Sequence, residues 1–371
     1  MSYGRIRKEA GFSMIEIMLS ITISLLSLVL LLNILQIFKR NTDQVNENAF
    51  NQIKNTNLIS FMERDIRMAG YGFMPLEIIG CNLKRYYKKR IDDLMLQPIE
   101  IKDGENGAYD ALRIMYSTKN KPNIPAILIK ELKASNTLLT NNSLEIKPND
   151  FLVVHDKGSE CTLLQVTGID AENIRISFES EKSAWNSPTF NDVFPSIGYP
   201  MYTSLTNLGE IADITYSLNK LNQFEITSFL SSNNSVNKQI VNSDIINFQA
   251  QYGFDARDGE QVSPMVTKWS SKMLDINKDK IVGNSADIKK ILAIRIAVVF
   301  RNRNPELPVK GICSASSSPN WMAGNDTSGE LELTNIDVSK NTDKSEVPNW
   351  ACYQYKVMQS VIPIKNLIWS E

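Results

Sequence analysis

The chain has 371 residues, with 40 lysines and arginines, 41 aspartates and glutamates, four cysteines and a single histidine. A formal net charge of −1 argues against a general nucleic-acid-binding protein, because neutralising phosphates requires a basic excess. One histidine excludes zinc sites built on two imidazoles, and it leaves His155 alone for any Ser-His-Asp or Cys-His mechanism.

Residues 12–38 form an apolar run in which Glu16 is the one charged side chain. A helix crosses a bilayer core with about 20 apolar residues, so the run predicts a membrane-spanning helix. Basic residues are almost as frequent after the run as before it, so the positive-inside rule favours a cytoplasmic N-terminus only slightly. A carboxylate in lipid is costly and indicates a function, unless it lies at the interface and reaches water.

Residues 11–16 read GFSMIE and follow a short basic leader. This segment resembles the class III signal of type IV prepilins. In that family a prepilin peptidase cleaves after the glycine and methylates the new N-terminal residue. The resemblance implies that residues 1–11 are a leader cleaved after Gly11, and that Phe12 becomes N-methylated. It also implies that Glu16 sets subunit register by pairing with an N-terminal amine, of its own or a neighbouring chain.

Residues 39–70 are predicted to continue the helix as an amphipathic segment. Apolar residues recur there mostly at steps of three to five, which is typical of a helix with one buried face. The positions assigned to that face are Val45, Ala49, Phe50, Ile53, Phe61, Ile66 and Ala69. Gly70 and Gly72 are stop signals, so residues 71–371 are expected to form the head.

Residues 62–72 read MERDIRMAGYG and are similar to the end of the pilin helix in the PilW family of minor pilins. Looser similarities to that family lie at residues 246–255 and 293–301. The resemblance implies a type IV pilus minor pilin that takes part in priming assembly, within a minor-pilin complex at or near the filament tip. Its implied partners are other minor pilins, the major pilin, the prepilin peptidase and the inner-membrane assembly machinery. It also implies one pass through the inner membrane, a periplasmic head, and entry into the pilus after cleavage.

The remainder of the chain is predicted to form short strands. Runs rich in β-branched or aromatic residues alternate with clusters of Asn, Gly, Ser, Asp and Pro. These runs lie at residues 112–116, 151–154, 162–167, 174–178, 211–218, 224–229, 292–300 and 353–362. The expected fold is α+β, with a long N-terminal helix packed on one or two antiparallel sheets of the head.

The four cysteines form no C-x-x-C motif, which makes zinc and thioredoxin-like sites poor interpretations. In a head outside the cytoplasm, an even number of cysteines indicates two disulfides, with three connectivities open. We favour Cys81–Cys161 and Cys313–Cys352, because pairs near in sequence need no crossing.

Residues 84–90 read KRYYKKR, which combines two aromatic rings with the cations of Lys84, Arg85, Lys88, Lys89 and Arg90. Cations that follow a backbone, together with stacking rings, are typical of single-stranded nucleic-acid binding. DNA is therefore one candidate partner. The alternatives are a solvated loop and a docking strip for an acidic neighbouring subunit.

Asp275, Asn277 and Asp279 have the D-x-N-x-D spacing that opens a calcium loop. An EF-hand loop also needs Gly at position 6 and Glu at position 12, where this chain has Lys280 and Ala286. The alternative is an acidic turn before a strand. Calcium is the one cofactor that the sequence raises.

No P-loop, G-x-S-x-G, H-E-x-x-H or G-x-G-x-x-G motif occurs in the sequence, so no enzymatic activity is expected. Two alternatives to a pilus subunit stay open. One is a minor pseudopilin of a type II secretion system, which shares the signal and the helix. The other is a membrane-anchored periplasmic binding protein or hydrolase that keeps an uncleaved anchor.

Overall fold

The computed structural model divides the chain into two compact units, residues 1–58 and 59–371. The structure describes residues 13–368 apart from 74–77, 105–107, 120–123, 125, 157–159, 173, 220, 222, 231–234, 243, 258, 260–264, 303–304, 306–311, 314–318, 323–332 and 340–344.

The long N-terminal helix α1 spans Met14–Met68, so the first unit is helical from Met14 onward. Its segment Met14–Gln36 is long and apolar enough to cross a membrane, and none of that span is buried by protein. At 1.5 Å per residue its 23 residues extend about 35 Å, against a bilayer core of about 30 Å.

In the second unit, the end of α1 buries one narrow face. Ile59, Met62 and Ile66, at steps of three and four, are at most 7% exposed. Phe61 is 53% exposed, so its assignment to the buried face is wrong: one helical step of about 100° separates it from Met62. Ala69, just past the helix, is buried as expected. The side chains of the other assigned positions, Val45, Ala49, Phe50 and Ile53, lie outside the described part of the chain.

The head consists mainly of short strands, with two further short helices, α2 (Ser285–Lys289) and α3 (Lys365–Ile368). The strands in chain order are β1 (Asn82–Tyr87), β2 (Arg90–Met95), β3 (Ile99–Lys102), β4 (Ala111–Ser117), β5 (Ala126–Ile127), β6 (Thr137–Leu139), β7 (Phe151–His155), β8 (Cys161–Gln165), β9 (Gly168–Asp170), β10 (Arg175–Ser177), β11 (Ser204–Gly209), β12 (Ile211–Leu218), β13 (Phe224–Leu230), β14 (Ser235–Asn242), β15 (Ile245–Phe254), β16 (Lys268–Ser270), β17 (Ile291–Arg301), β18 (Asn320–Met322), β19 (Leu333–Asn335) and β20 (Tyr355–Pro363).

Within the described residues these strands form five sheets, more than the one or two expected. The orders are β2-β1-β8-β7-β11-β5, β6-β10-β9, β14-β13-β12-β4-β3, β16-β15-β17-β20 and β18-β19. Pairing is antiparallel except between β1 and β8, which share a parallel register of two residue pairs. The α+β class with antiparallel sheets is therefore confirmed, and all eight predicted strands are present.

The central strands are buried on both faces. Every residue of β7 and β8 is buried, as are the first ten residues of β17. One side of β7 contributes Leu152 and Val154 to an apolar cluster that also takes Ile176 from β10 and Phe194 from the following loop. The six-stranded and three-stranded sheets therefore share one core, from which the loops after β10 project.

Candidate functional site

The start of α1 is closed by a reciprocal cap between Ser13 and Glu16. The Ser13 backbone N–H donates to Glu16 Oε2 at 3.1 Å, and the Ser13 carbonyl accepts the N–H groups of Glu16 and Ile17 at 3.0 and 3.2 Å. The Ser13 hydroxyl accepts the N–H of Ile15 at 3.4 Å. The Glu16 half of this arrangement is that of a capping box, whose S-x-x-E signature stands at residues 13–16, while the Ser13 hydroxyl bonds one residue earlier than in the standard box.

Three hydroxyl groups of the apolar span donate to carbonyls of the helix itself, and that of Ser20 bonds to the carbonyl of Glu16. Thr22 Oγ1 donates to the carbonyl of Leu19, and Ser27 Oγ donates to the carbonyl of Ile23, both at 2.8 Å. Backbone and side-chain polar groups in hydrocarbon are costly unless they are bonded internally. These hydroxyls are therefore compatible with lipid. Gly11 and Phe12, the predicted cleavage and methylation positions, lie outside the described residues.

The cationic segment at residues 84–90 is a β-hairpin, so its interpretation as a solvated loop is wrong. Strands β1 and β2 pair in continuous register from Asn82–Met95 to Tyr87–Arg90. Lys88 and Lys89 form the two-residue turn with φ of 47° and 69°, which is the type I′ geometry that follows strand twist. Glycine and asparagine usually fill such turns, so the two lysines gave no turn signal.

Carboxylates lie close to three of the five cations of the hairpin. Lys84 Nζ lies 2.5 Å from Glu160 Oε2. Arg85 and Arg90 both approach Asp92 at 3.9 Å. Burial, followed by the neighbouring charge of another arginine, lowers the pKa of Arg85.

The two tyrosine rings of the hairpin already have protein partners. The ring centroids of Tyr87 and the buried Trp185 are 4.4 Å apart, and Lys88 Nζ lies 5.1 Å from the centroid of the Tyr87 ring. Tyr86 packs against the apolar cluster below the sheet. Lys88 N–H also donates to the carbonyl of Ala184 at 3.1 Å, which fixes the turn. Binding of DNA or of an acidic subunit here stays a prediction from the sequence.

The acidic loop at residues 275–279 bonds to its own backbone. Asp275 accepts the N–H groups of Asp279 and Lys280 at 3.1 and 2.9 Å. Asp279 accepts the N–H of Ile281 at 2.8 Å and the amide of Asn277 at 2.7 Å. Among the described residues, no three His, Cys, Asp or Glu side chains converge as metal ligands. The geometry is that of an acidic turn, and calcium stays a prediction from the spacing.

Both disulfides have the favoured connectivity. Cys81 bonds to Cys161 and Cys313 bonds to Cys352, with Cα–Cα distances of 6.1 and 4.8 Å. The first disulfide ties the entry to β1 to the start of β8, beside their short parallel pairing. The second closes the loop between β17 and β20.

His155 ends β7 and is 4% exposed, with Nε2 3.2 Å from Thr206 Oγ1. This contact with a neighbouring strand fits a structural residue.

No protein-family model matches the chain, and no curated protein matches it. Among solved structures, a type IV-like pilin from Thermus thermophilus is similar to it. That likeness covers 85% of this chain and 97% of the other, at 8% identity and a TM-score of 0.33. A likeness of this extent does not establish a shared function.

Proposed function

We propose that the chain is a type IV pilus minor pilin of the PilW type, which takes part in priming pilus assembly as a structural subunit without enzymatic activity. The observation that carries the proposal is the start of α1. An apolar helix of membrane-spanning length begins two residues after a Gly-Phe junction, and it has one carboxylate, Glu16, in its first turn.

The apolar span gives this subunit its means of assembly. Lipid tails are as apolar as leucine, so moving the span from a bilayer into a filament gains little from the hydrophobic effect. The favourable free energy of assembly must therefore come from close packing against neighbouring helices. In the proposed mechanism the span of Met14–Gln36 leaves the inner membrane only by packing against the equivalent spans of other pilins.

Glu16 would have two successive partners in this mechanism. In the free subunit its carboxylate accepts the Ser13 N–H of its own chain. Cleavage after Gly11 would create an amine at Phe12, four residues away, and a carboxylate that pairs with such an amine sets the register between subunits. A buried ion pair offsets its desolvation only when both charges are present and close. A subunit out of register would therefore be disfavoured.

The processing and location follow from the same proposal. A prepilin peptidase cuts after Gly11 and methylates Phe12, while the helix holds the protein in the inner membrane with the head in the periplasm. Other minor pilins and the major pilin are then the partners of the helix in the filament. The two disulfides suit an oxidising compartment.

The test distinguishes the effect of the negative charge of Glu16 on assembly from the effect of the hydrogen bonds that cap the helix. Glu16→Gln keeps an oxygen for the Ser13 N–H, since Gln also serves in a capping box, but removes the charge. Ser13→Ala removes the hydroxyl cap and keeps the charge. We expect Glu16→Gln and Glu16→Ala to leave leader cleavage intact and to reduce piliation strongly, whereas Ser13→Ala changes piliation little.

Leader cleavage is read from the mass of the mature chain, and piliation from pili sheared off cells. Normal piliation in Glu16→Gln would contradict the register mechanism. Normal piliation together with a loss of protein secretion would instead assign the chain to a type II secretion system.

A further inference from the structure

A cleft of about 570 Å³ lies in the head beside β10. Its residues Ser180, Glu181 and Pro188 also line a smaller cleft that takes in Lys88 and Lys89 of the cationic hairpin. Three loop segments line it: residues 134–136, 178–181 and 187–194. Its volume falls in the range of about 300–1,000 Å³ that is usual for small-molecule sites. All of its lining residues belong to the described part of the chain.

One wall of the cleft is a flat aromatic surface. The half-buried ring of Phe190 stacks on Phe194, with centroids 4.4 Å apart and planes at 10°. Phe194 is 5% exposed and also contacts the rings of Phe178 and Tyr199. Phe190 is therefore held against a packed core, so the position of its ring in the cleft lining is fixed before any ligand arrives.

Polar side chains without protein partners also line the cleft. Within the described residues, the side chains of Asn136, Ser180 and Glu181 have no hydrogen-bond or ion-pair partner. They offer an amide, a hydroxyl and a carboxylate, which together supply both donors and acceptors. Glu179 also lines the cleft, and its carboxylate pairs with Lys182 at 2.8 Å.

We propose that this cleft binds a neutral saccharide unit. A pyranose has one face of C–H groups, which suits the negative face of a ring such as Phe190, and a rim of hydroxyls that suits amide and carboxylate partners. The carboxylate of Glu181 disfavours an acidic sugar by like-charge repulsion, whereas that of Glu179 is paired with Lys182. The proposal does not rest on the pilus role, because it uses no residue of the helix.

A second cleft of about 430 Å³ gives the comparison that the test needs. It adjoins the first at Ser135, which lines both, and it carries Lys130, Lys133 and Arg175 beside one carboxylate, Glu131, which pairs with Lys133 at 2.8 Å. An acidic saccharide would favour this basic cleft. Binding of neutral oligosaccharides would therefore indicate the first cleft, and binding of acidic oligosaccharides the second.

The experiment uses the full-length protein in detergent, applied to immobilised neutral oligosaccharides that end in galactose, glucose or N-acetylglucosamine, with sialylated and sulfated oligosaccharides beside them. We expect binding to at least one neutral terminus. Phe190→Leu keeps an apolar side chain against Phe194 but removes the flat face, and we expect it to weaken that binding about tenfold or more. Asn136→Ala, at an exposed position, should weaken it without affecting the fold.

Tyr202→Leu is the matched control, because it removes a ring that is 68% exposed and lies outside the cleft. It should leave binding unchanged. The proposal is overturned by an absence of binding to every neutral terminus, by binding to acidic oligosaccharides alone, or by neutral binding that neither Phe190→Leu nor Asn136→Ala reduces.

Discussion

At the residue scale, buried polar groups of this protein are held by specific partners. Asp110, directly before β4, is fully buried. Its two oxygens accept the backbone N–H groups of Gly104 and Ala250 at 2.8 and 2.7 Å. Burial raises the pKa of Asp110 to about 7, and the two N–H groups act in the opposite direction. The environment of Asp110 therefore couples folding to pH near neutrality.

The sign of that coupling follows from the two protonation states. Folded Asp110 keeps its proton up to about pH 7, whereas the unfolded chain releases it near 3.8, so protonation favours folding. Its contribution to stability is fully present below about pH 4 and is lost as the pH rises to about 7. The upper bound is about 4 kcal/mol, from a shift of about three units at 1.36 kcal/mol each.

We therefore expect Asp110→Asn to flatten the dependence of unfolding free energy on pH between 4 and 7. The slope is the quantity to compare, because the new amide NH₂ faces one of the backbone N–H groups and lowers stability at every pH. Urea denaturation at a series of pH values measures the slope. Asp93→Asn, at an exposed position of β2, controls for the loss of one negative charge. An unchanged slope in Asp110→Asn would contradict the assignment.

At the element scale, long runs with a clear pattern could be predicted from sequence, while short or atypical ones could not. The strand β12 has the predicted bounds, and β17 extends its prediction by one residue at each end. The hairpin of β1 and β2 was missed, because its turn is Lys-Lys with both residues at positive φ and its strands are rich in charge. Burial of Met62 rather than Phe61 was missed as well, since apolar spacing alone does not fix which neighbour faces the sheet.

The buried face of α1 leads to a prediction for two adjacent residues. Met62 is fully buried and Phe61 is 53% exposed. We expect Met62→Ala to lower the unfolding free energy by about 2–5 kcal/mol, because it leaves a cavity. Phe61→Ala, which makes the larger deletion one position earlier, should cost about 0.5 kcal/mol or less. Chemical denaturation compares the two, and equal losses would contradict the orientation of the helix.

The Cys81–Cys161 disulfide leads to a prediction for the hairpin. Strand β1 pairs with β8 over only two parallel residue pairs, and the disulfide adds a covalent link between the two strands. We expect the double variant Cys81→Ala, Cys161→Ala to lose roughly 4 kcal/mol on the chain-entropy model. Amide hydrogen exchange in β1 and β2 should rise. The matched variant Cys313→Ala, Cys352→Ala should leave exchange in the hairpin unchanged, and the reverse pattern would contradict this account.

At the scale of the whole molecule, the α+β class follows from the sequence, but the arrangement of its sheets does not. Strands of two to five residues, such as β5 and β9, carry too little pattern to specify partners that lie far along the chain. The six-stranded sheet joins segments from residues 82 to 209. The proposed saccharide cleft could not be predicted for a similar reason, because it combines three segments that lie apart in sequence, and none of them carries a motif. The start of α1, by contrast, is local, so the GFSMIE segment could be interpreted from sequence alone.

The central claim is that this chain is processed and assembled as a pilin. The most direct measurement is the mass of its N-terminal peptide, in cells with and without the prepilin peptidase. The account predicts a peptide that begins at N-methylated Phe12 and appears only when the peptidase is present. A peptide that retains residues 1–11 in both strains would contradict it, since the helix would then be a simple membrane anchor.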